Sequence, residues 1–197
     1  GYIEAKGDNL YGQLGNSTTT SSDTFITIPN IDNCIKVAAG GDSSYALTSD
    51  GKLYAWGDNS KGQAGGGSGS AQTSPALILD DIVDISAGIN HAIAVKKDGT
   101  VWAWGSNTYG QLGIGSTGSY YSTPVKVFSG ACSIAAGGYH SYVIDQNNNL
   151  YAAGKNDKGQ LGLGNTANKN TFEYVINNVS KAAGGMNHSV ILTFDGE

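Results

Sequence analysis

The chain has few charged side chains and no long apolar segment. Only 14% of its 197 residues are charged, against roughly 25% in an average soluble domain. The net charge is −5 and no run of Lys or Arg occurs. Binding to a nucleic-acid backbone needs a basic stripe, so we expect no nucleic-acid partner. No apolar stretch approaches about 18 residues, the length of a spanning helix, and we expect no membrane insertion.

Polar uncharged residues take the place of the missing charges. Ser, Thr, Asn, Gly and Tyr are abundant along the whole chain. This composition is typical of secreted and cell-surface β-proteins. It predicts an extracellular or cell-surface location, in a bacterial or viral protein.

The motifs of the common hydrolases are also absent. The sequence contains no G-x-S-x-G and no H-E-x-x-H, which expose a serine nucleophile or hold a catalytic zinc. Residues 145–149 begin like a calcium loop, but Leu150 stands where that loop requires Gly, so we expect a turn there. We therefore predict that the chain is not an enzyme and uses no metal or cofactor.

Cysteine is scarce, with two residues, Cys34 and Cys132. They fall in neighbouring positions of repeats that are two repeat lengths apart, so their Cα atoms should exceed the limit of about 7 Å for a disulfide. Most other residues at these two positions are apolar. We therefore expect two buried free thiols.

One nine-residue phrase, here called the Asn-Gln motif, occurs four times. It reads GDNLYGQLG from Gly7, GDNSKGQAG from Gly57, GSNTYGQLG from Gly105 and GKNDKGQLG from Gly154, at spacings of 50, 48 and 49 residues. A fixed period of this size indicates a repeat architecture. Amides both donate and accept hydrogen bonds, so we expect its asparagines to fix an irregular inter-blade loop. These are Asn9, Asn59, Asn107 and Asn156.

A second phrase, the Gly-His motif, recurs with the same period. It reads VAAGGDSSYAL from Val37, ISAGINHAIAV from Ile85, IAAGGYHSYVI from Ile134 and AAGGMNHSVIL from Ala182. Its glycines, preceded by small residues, suit strands packed close to a neighbour: Gly40, Gly88, Gly137 and Gly185. All three histidines of the chain share one motif position: His91, His140 and His188. Three histidines could form a metal site, but one per repeat favours a structural role.

Strand and turn signals fill the rest of each repeat. Apolar residues alternate after each Gly-His motif, and a turn signal follows: Asp50-Gly51, Asp98-Gly99, Asn147-Asn148 and Asp195-Gly196. Asp-Gly between alternating strands predicts a hairpin, because both residues tolerate positive φ. About four short strands therefore occur per 49 residues, without a helical period. The pattern predicts an all-β fold of four-stranded propeller blades.

The Gly-His motif resembles the signature of one family, the regulator-of-chromosome-condensation repeat. That signature has an aliphatic residue, two small residues, Gly, two residues of any type, His, a small residue and an aliphatic one. The copy from Ile85 fits it fully, and the copy from Val37 carries Ser43 in place of His. The Asn-Gln motif is also similar to that family. The resemblance covers all four repeats and implies a β-propeller, for which seven blades are typical.

We interpret residues 1–197 as one domain with repeats at about 1–50, 51–98, 99–147 and 148–197. The chain begins with a return strand and ends just after a hairpin turn, so its N-terminal strand could complete the last blade. Three arrangements stay open. The chain is a section of a longer propeller, a small closed ring, or one of several copies that complete each other, since exposed strand edges invite pairing.

Aromatic side chains are the candidates for partner binding. In the return strands one face is apolar in every repeat, and the other face differs from repeat to repeat and carries Trp56, Trp102 and Trp104. These tryptophans either pack between blades or form an exposed patch for a partner. Tyr11 and Tyr109 occupy a position of the Asn-Gln motif that varies beside fixed neighbours and reads Lys in the other two copies, which indicates exposure. Tyr120 and Tyr121 lie in a polar loop whose composition resembles that of an antibody paratope.

The function expected from these features is a non-catalytic protein-binding scaffold. A second hypothesis is inhibition of a bacterial enzyme, because the fold is also similar to that of β-lactamase inhibitory protein II. A third is a structural subunit that self-associates through its chain ends. Guanine-nucleotide exchange, the activity of the family's name-giving member, is less favoured because the repeats are short and uniform and no basic tail is present.

Overall fold

The computed structural model describes residues 1–67 and 69–194, and these residues are all-β, as the sequence predicts. Among them there is no helix long and apolar enough to cross a membrane. The strands are β1 (Glu4–Gly7), β2 (Ser22–Thr27), β3 (Cys34–Ala39), β4 (Ser43–Thr48), β5 (Leu53–Gly57), β6 (Gln72–Leu79), β7 (Ile82–Ala87), β8 (His91–Lys96), β9 (Val101–Ser106), β10 (Tyr120–Phe128), β11 (Ala131–Ala136), β12 (His140–Asp145), β13 (Leu150–Gly154), β14 (Lys169–Ile176), β15 (Val179–Gly184) and β16 (Ser189–Thr193).

The strands form antiparallel sheets in sequence order. The first blade is β3–β6, the second β7–β10 and the third β11–β14. Two further pairs are the N-terminal half-blade, β1–β2, and the C-terminal half-blade, β15–β16. The prediction of four-stranded propeller blades is confirmed. The blades are offset from the sequence repeats, because residues 51–98 supply β5–β6 to the first blade and β7–β8 to the second.

The hairpin turns lie where the sequence predicts them. Gly51 and Gly99 have φ values of 85° and 77°, and Asn148 has 63°. A left-handed residue at this place gives the turn a twist that matches the flanking strands. Asp145 accepts hydrogen bonds from the backbone of Asn147 and Asn149, so its carboxylate stabilises this turn. The fourth turn, at Asp195-Gly196, lies outside the described residues.

A β-bulge near the start of each inner strand overturns the prediction of buried thiols. The register shifts between Cys34 and Lys36 in β3 and between Ala131 and Ser133 in β11. The extra residue of a bulge interrupts the alternation of faces, and Cys132 is therefore exposed. Cys34, next to the bulged position, is half-buried. Both are free cysteines, but neither is fully buried.

The apolar cores lie between neighbouring blades. Leu47 and Leu53 of the first blade pack with Ile85 and Ala94 of the second. Ile93 and Val101 continue the pattern on the other face of the second blade. A complete blade is thus buried on both faces, which explains why its second and third strands are apolar on both sides.

The innermost strands of neighbouring blades approach so closely that the Gly-His motif requires glycine. Backbone hydrogen bonds join blades here, from Gly41 N to Ile89 O at 3.0 Å and from Ile89 N to Gly138 O at 3.1 Å. A Cβ atom on Gly88 would lie 2.2 Å from His91 Cε1 and 2.5 Å from Gly137 O. A side chain at this position would push the backbone of the next blade away.

We predict that Gly88→Ala destabilises the chain by about 1–3 kcal/mol, because the added methyl group meets a backbone carbonyl and a buried ring. Urea unfolding followed by tryptophan fluorescence measures this change. Gly69→Ala is the matched control, since a Cβ there meets open space, and it should change stability by no more than about 0.5 kcal/mol. Equal effects of the two substitutions would contradict the close-approach explanation.

Candidate partner-binding face

The asparagine of each Asn-Gln motif is buried and holds the loop that carries it. Asn107 Oδ1 accepts a hydrogen bond from Leu112 N at 3.1 Å, and its Nδ2 donates to Ser116 O at 2.8 Å. Asn9, Asn59 and Asn156 accept the same backbone bond, from Leu14, Ala64 and Leu161. One amide therefore ties a tight turn to the variable loop after it. Only a side chain that both donates and accepts can do this.

The glutamine of the same motif joins each blade to the next through its backbone carbonyl. Gln13 O accepts hydrogen bonds from Ser44 Oγ and Trp56 Nε1, both at 2.8 Å. Gln63 O accepts from Trp104 Nε1 at 2.8 Å. The third blade and the C-terminal half-blade use a serine at this place, since Ser141 donates to Gln111 O and Ser189 donates to Gln160 O. The carbonyl of the motif is thus a fixed contact point between blades.

These contacts correct the assignment of Trp56 and Trp104 as partner-binding residues. Trp56 is 2% exposed and Trp104 is 0% exposed, and each indole N–H is used inside the chain. Trp56 and Trp104 therefore pack between blades, which is the other possibility that the sequence left open. The sequence could not distinguish packing between blades from an exposed patch. A tryptophan that packs against a neighbouring blade and one that contacts a partner occupy the same position in the strand pattern.

The histidines of the Gly-His motif extend this network. His91 Nε2 lies 2.9 Å from Ser141 Oγ, which donates its hydrogen to Gln111 O at 2.7 Å. His91 Nε2 must therefore carry the hydrogen of that bond. Its Nδ1 is buried and has no hydrogen-bond partner among the described residues. Protonation would place an unpaired donor beside Gly88, so the site favours the neutral ring.

The contacts of the other three residues at this motif position depend on the blade that follows. His140 Nε2 lies 3.5 Å from Ser189 Oγ, in the same arrangement. In the blade that follows Ser43, Ala92 stands where the later blades have Ser141 and Ser189, so no serine hydroxyl is available. Ser43 Oγ lies 3.0 Å from the hydroxyl of Tyr45 in its own blade. His188 is exposed. His91 and His140 contact different blades, and the described residues contain no group of three or more His, Cys, Asp or Glu placed to hold a metal ion.

The exposed rim carries a compact group of aromatic and cationic side chains, which we name the Tyr-Lys cluster: Tyr109, Tyr139 and Lys155. The two rings lie 5.4 Å apart at 67°. Lys155 Nζ lies 5.4 Å from the Tyr109 ring and 5.7 Å from the Tyr139 ring. All three side chains are half-buried. The cluster bridges the second and third blades, so its geometry is fixed by their packing.

Sequence reasoning found Tyr109 and missed the two residues beside it. Tyr139 occupies a motif position that reads Asp42, Asn90 and Asn187 in the other repeats, and Lys155 one that reads Asp8, Asp58 and Ser106. Variation beside fixed neighbours, the signal that identified Tyr109, marks both positions. Their convergence depends on the packing of two blades.

The remaining predicted partner-binding residues are distributed over the surface. Tyr11 is 39% exposed and Tyr120 is 53% exposed, and Tyr120 pairs with Ser106 at the end of β9 that leads to Tyr109. Tyr121 is half-buried against the core between the second and third blades. Trp102 lies near the opposite end of β9, where its indole N–H donates to Thr100 Oγ1 and Lys96 Nζ lies 5.3 Å from its ring.

We predict that the buried histidines make the chain less stable in mild acid. Burial, together with the nearby His140, lowers the pKa of His91 from 6.5 to about 3, and burial with His188 lowers that of His140 to about 4. A depressed pKa stabilises the fold above the pKa of the unfolded chain, and this stabilisation is lost as the pH falls through 6.5 towards the folded value. Each histidine should reduce the unfolding free energy by about 1.4 kcal/mol per pH unit in this window.

Urea unfolding at pH 6.5, 5.5 and 4.5 measures this slope. His91→Ser, which copies the residue of the first blade, should lower stability at neutral pH and flatten the slope. His188→Ser is the matched control at an exposed copy of the same motif position. Because His188 is only the smaller cause of the lowered pKa of His140, this variant should change the slope less than His91→Ser does. A slope that His91→Ser does not alter would show that other groups cause the acid sensitivity.

Comparisons with known proteins agree with the repeat signature. The family model of the RCC1-like domain matches residues 1–197. The X-linked retinitis pigmentosa GTPase regulator of Mus musculus is 46% identical over 68 residues, which are 33% of this chain and 7% of that protein. The ultraviolet-B receptor UVR8 of Arabidopsis thaliana is 35% identical over 80 residues, 40% of this chain and 18% of that protein. The chain thus spans a small part of these curated relatives.

Solved structures show the same fold. Prp20p from Saccharomyces cerevisiae aligns with a TM-score of 0.85 at 24% identity, over 100% of this chain and 53% of that chain. Yeast RCC1 (Prp20) in complex with Kap60 aligns with a TM-score of 0.82 at 23% identity, over 93% of this chain and 47% of that chain. The chain therefore corresponds to about half of each of these two chains.

Proposed function

The chain belongs to the RCC1-like domain family, and we propose that it is a non-catalytic protein-binding scaffold whose partner contacts the rim around the Tyr-Lys cluster. The low content of charged residues supports an extracellular or cell-surface location as part of this proposal. Inhibition of an enzyme would be one form of the same binding.

The Tyr-Lys cluster is the observation that carries the proposal. Tyrosine combines a large apolar ring with a hydroxyl and loses little conformational entropy on binding, and it is enriched at binding hot spots. Tyr109 and Tyr139 are held at an angle and braced by Lys155, so the surface is organised before a partner arrives. Loops fixed on a rigid scaffold are the usual location of binding residues.

The solved relatives support a protein as the partner. The structure of Prp20p is described together with its binding properties to Gsp1p and histones, and a second structure shows yeast RCC1 bound to Kap60. Gsp1p is therefore one protein to test as a partner. Nucleotide exchange on it would be a further property, which binding alone does not require.

We predict that a photo-cross-linking amino acid at position 109 captures a discrete set of proteins from cells of the source organism. The same amino acid at position 102 is the matched control, because Trp102 is also half-buried but lies at the other end of β9. Mass spectrometry of the adducts identifies the partner. Identical adduct patterns from the two positions, or none from position 109, would contradict the proposed face.

Substitution then tests the contact with the identified partner, or with purified Gsp1p as a first probe. Tyr139→Ala combined with Lys155→Ala should weaken binding by about tenfold or more, the effect expected of a hot spot. Trp102→Ala should change the affinity less than about threefold. Urea unfolding of each variant separates a lost contact from a lost fold.

A further inference from the structure

The side-chain amide of the glutamine in the Asn-Gln motif binds an aspartate of its own loop in three of the four copies. The donor is Nε2 in each case, and its distances to the carboxylate oxygens are 2.9, 2.6 and 3.3 Å for Gln13 with Asp8, Gln63 with Asp58 and Gln160 with Asp157. Hydrogen bonds to a charged acceptor are stronger than those between neutral groups. A carboxylate is therefore the usual partner of this amide.

The loop of the second blade lacks this carboxylate. Ser106 and Thr108 stand at the two positions that hold aspartate in the other loops, and their hydroxyl oxygens lie 3.1 Å apart. Gln111 is 0% exposed, and its Nε2 has no hydrogen-bond partner among the described residues. A buried donor without an acceptor destabilises a fold. An acceptor supplied from outside the loop would remove this penalty.

The orientation of the Gln111 amide is fixed by the backbone. Its Oε1 accepts a hydrogen bond from Tyr109 N at 2.9 Å, and the same bond is made in the other loops by Tyr11, Lys61 and Lys158. This bond identifies the oxygen of the amide, so it is the NH2 group that lacks a partner. By equivalence with Gln63, that group points to the place that the carboxylate of Asp58 occupies in the first blade.

The Tyr-Lys cluster adjoins this amide. Tyr109 supplies the backbone bond to Gln111, and a Cβ on Gly154 would lie only 3.1 Å from Gln111 Cα. Gly154 directly precedes Lys155, so the lysine starts beside the glutamine. Asp157 lies 3.4 Å from Lys155 Nζ, but its side chain is 47% exposed and solvent screens the pair. The same part of the rim therefore holds a positive charge and an unused amide donor.

The place next to the amide lies at the surface in the loops where an aspartate fills it. Asp8 and Asp157 are exposed and Asp58 is half-buried, although each is bonded to its glutamine. A carboxylate bound to this amide thus remains in contact with solvent. In the second blade the carboxylate can therefore come from another molecule.

We propose that the partner of the Tyr-Lys cluster binds through an acidic side chain, whose carboxylate accepts a hydrogen bond from Gln111 Nε2 in place of the missing aspartate. This inference rests on the proposed function, because it names the group by which the partner binds the same face. Lys155 favours a carboxylate over a neutral acceptor, since its charge attracts an anion. The partner thereby supplies what the other three loops contain themselves.

Nuclear magnetic resonance of the isotope-labelled chain tests the amide directly, with acetate as the probe. Sodium acetate is compared with sodium chloride at equal ionic strength, so that screening is the same in both. The side-chain NH2 signals of Gln111 should shift in a saturable way, and those of Gln63, which already binds Asp58, should shift several-fold less. Equal shifts of the two amides, or no shift of Gln111, would overturn the proposal. This measurement requires no partner.

Filling the place with the chain's own carboxylate provides the second test. Ser106→Asp copies Asp58 and Thr108→Asp copies Asp157, so each variant should occupy the Gln111 amide from within the loop. Each should abolish the acetate-dependent shift and raise the urea midpoint of unfolding. If one variant fails to fold, the other carries the test. An acetate shift that persists in a folded variant would contradict the proposed binding mode.

Affinity for the partner captured at position 109 is the third readout. Ser106→Asp should weaken binding by about tenfold or more, because the new carboxylate takes the amide and repels the acidic side chain. Ser60→Asp is the matched control, since it adds the same charge to the first blade's loop, where Gln63 already has an acceptor. It should change the affinity less than about threefold.

The variants also separate this inference from the proposed function. The proposed function predicts that Tyr139→Ala combined with Lys155→Ala weakens binding, and it predicts nothing for Ser106→Asp. If the double variant loses affinity and Ser106→Asp keeps it, the face is correct and the carboxylate contact is wrong.

Discussion

Each interface between successive blades contains one fixed polar contact, at the backbone carbonyl of the glutamine in the Asn-Gln motif. Gln13, Gln63 and Gln111 each accept a hydrogen bond from a serine or tryptophan of the following blade. A carbonyl can serve as such a fixed point only when its loop is rigid, and the buried asparagine of the motif makes it so. The motif therefore recurs in every repeat because every interface needs one.

The histidine network and the close glycine contacts belong to the same interface. His91 forms a hydrogen bond with Ser141, the serine that donates to the carbonyl of Gln111. Gly88 has no side chain and so leaves room for the histidine ring. A substitution on one side of the interface is therefore accompanied by a substitution on the other side. Where the following blade has Ala92 in place of that serine, the histidine position holds Ser43, and Trp104 supplies the bond to Gln63. Compensation of this kind explains how repeats of differing sequence keep one geometry.

The features proposed for binding arise where the repeat pattern is broken. Tyr139 and Lys155 replace short polar residues of other repeats, and together with Tyr109 they form a group across two blades.

The sequence by itself determined the repeat length, the strand order and the hairpin turns, because these depend on local alternation, on turn residues and on motif spacing. Tertiary structure alone decided which aromatic residues are accessible. Trp56 and Trp104 follow the same pattern as an exposed patch but are buried, since exposure depends on what the neighbouring sheet covers. Cys132 is exposed because a bulge, invisible in the residue types, interrupts the alternation. The Tyr-Lys cluster likewise exists only once two blades pack, since Tyr109 belongs to the second blade and Tyr139 and Lys155 belong to the third.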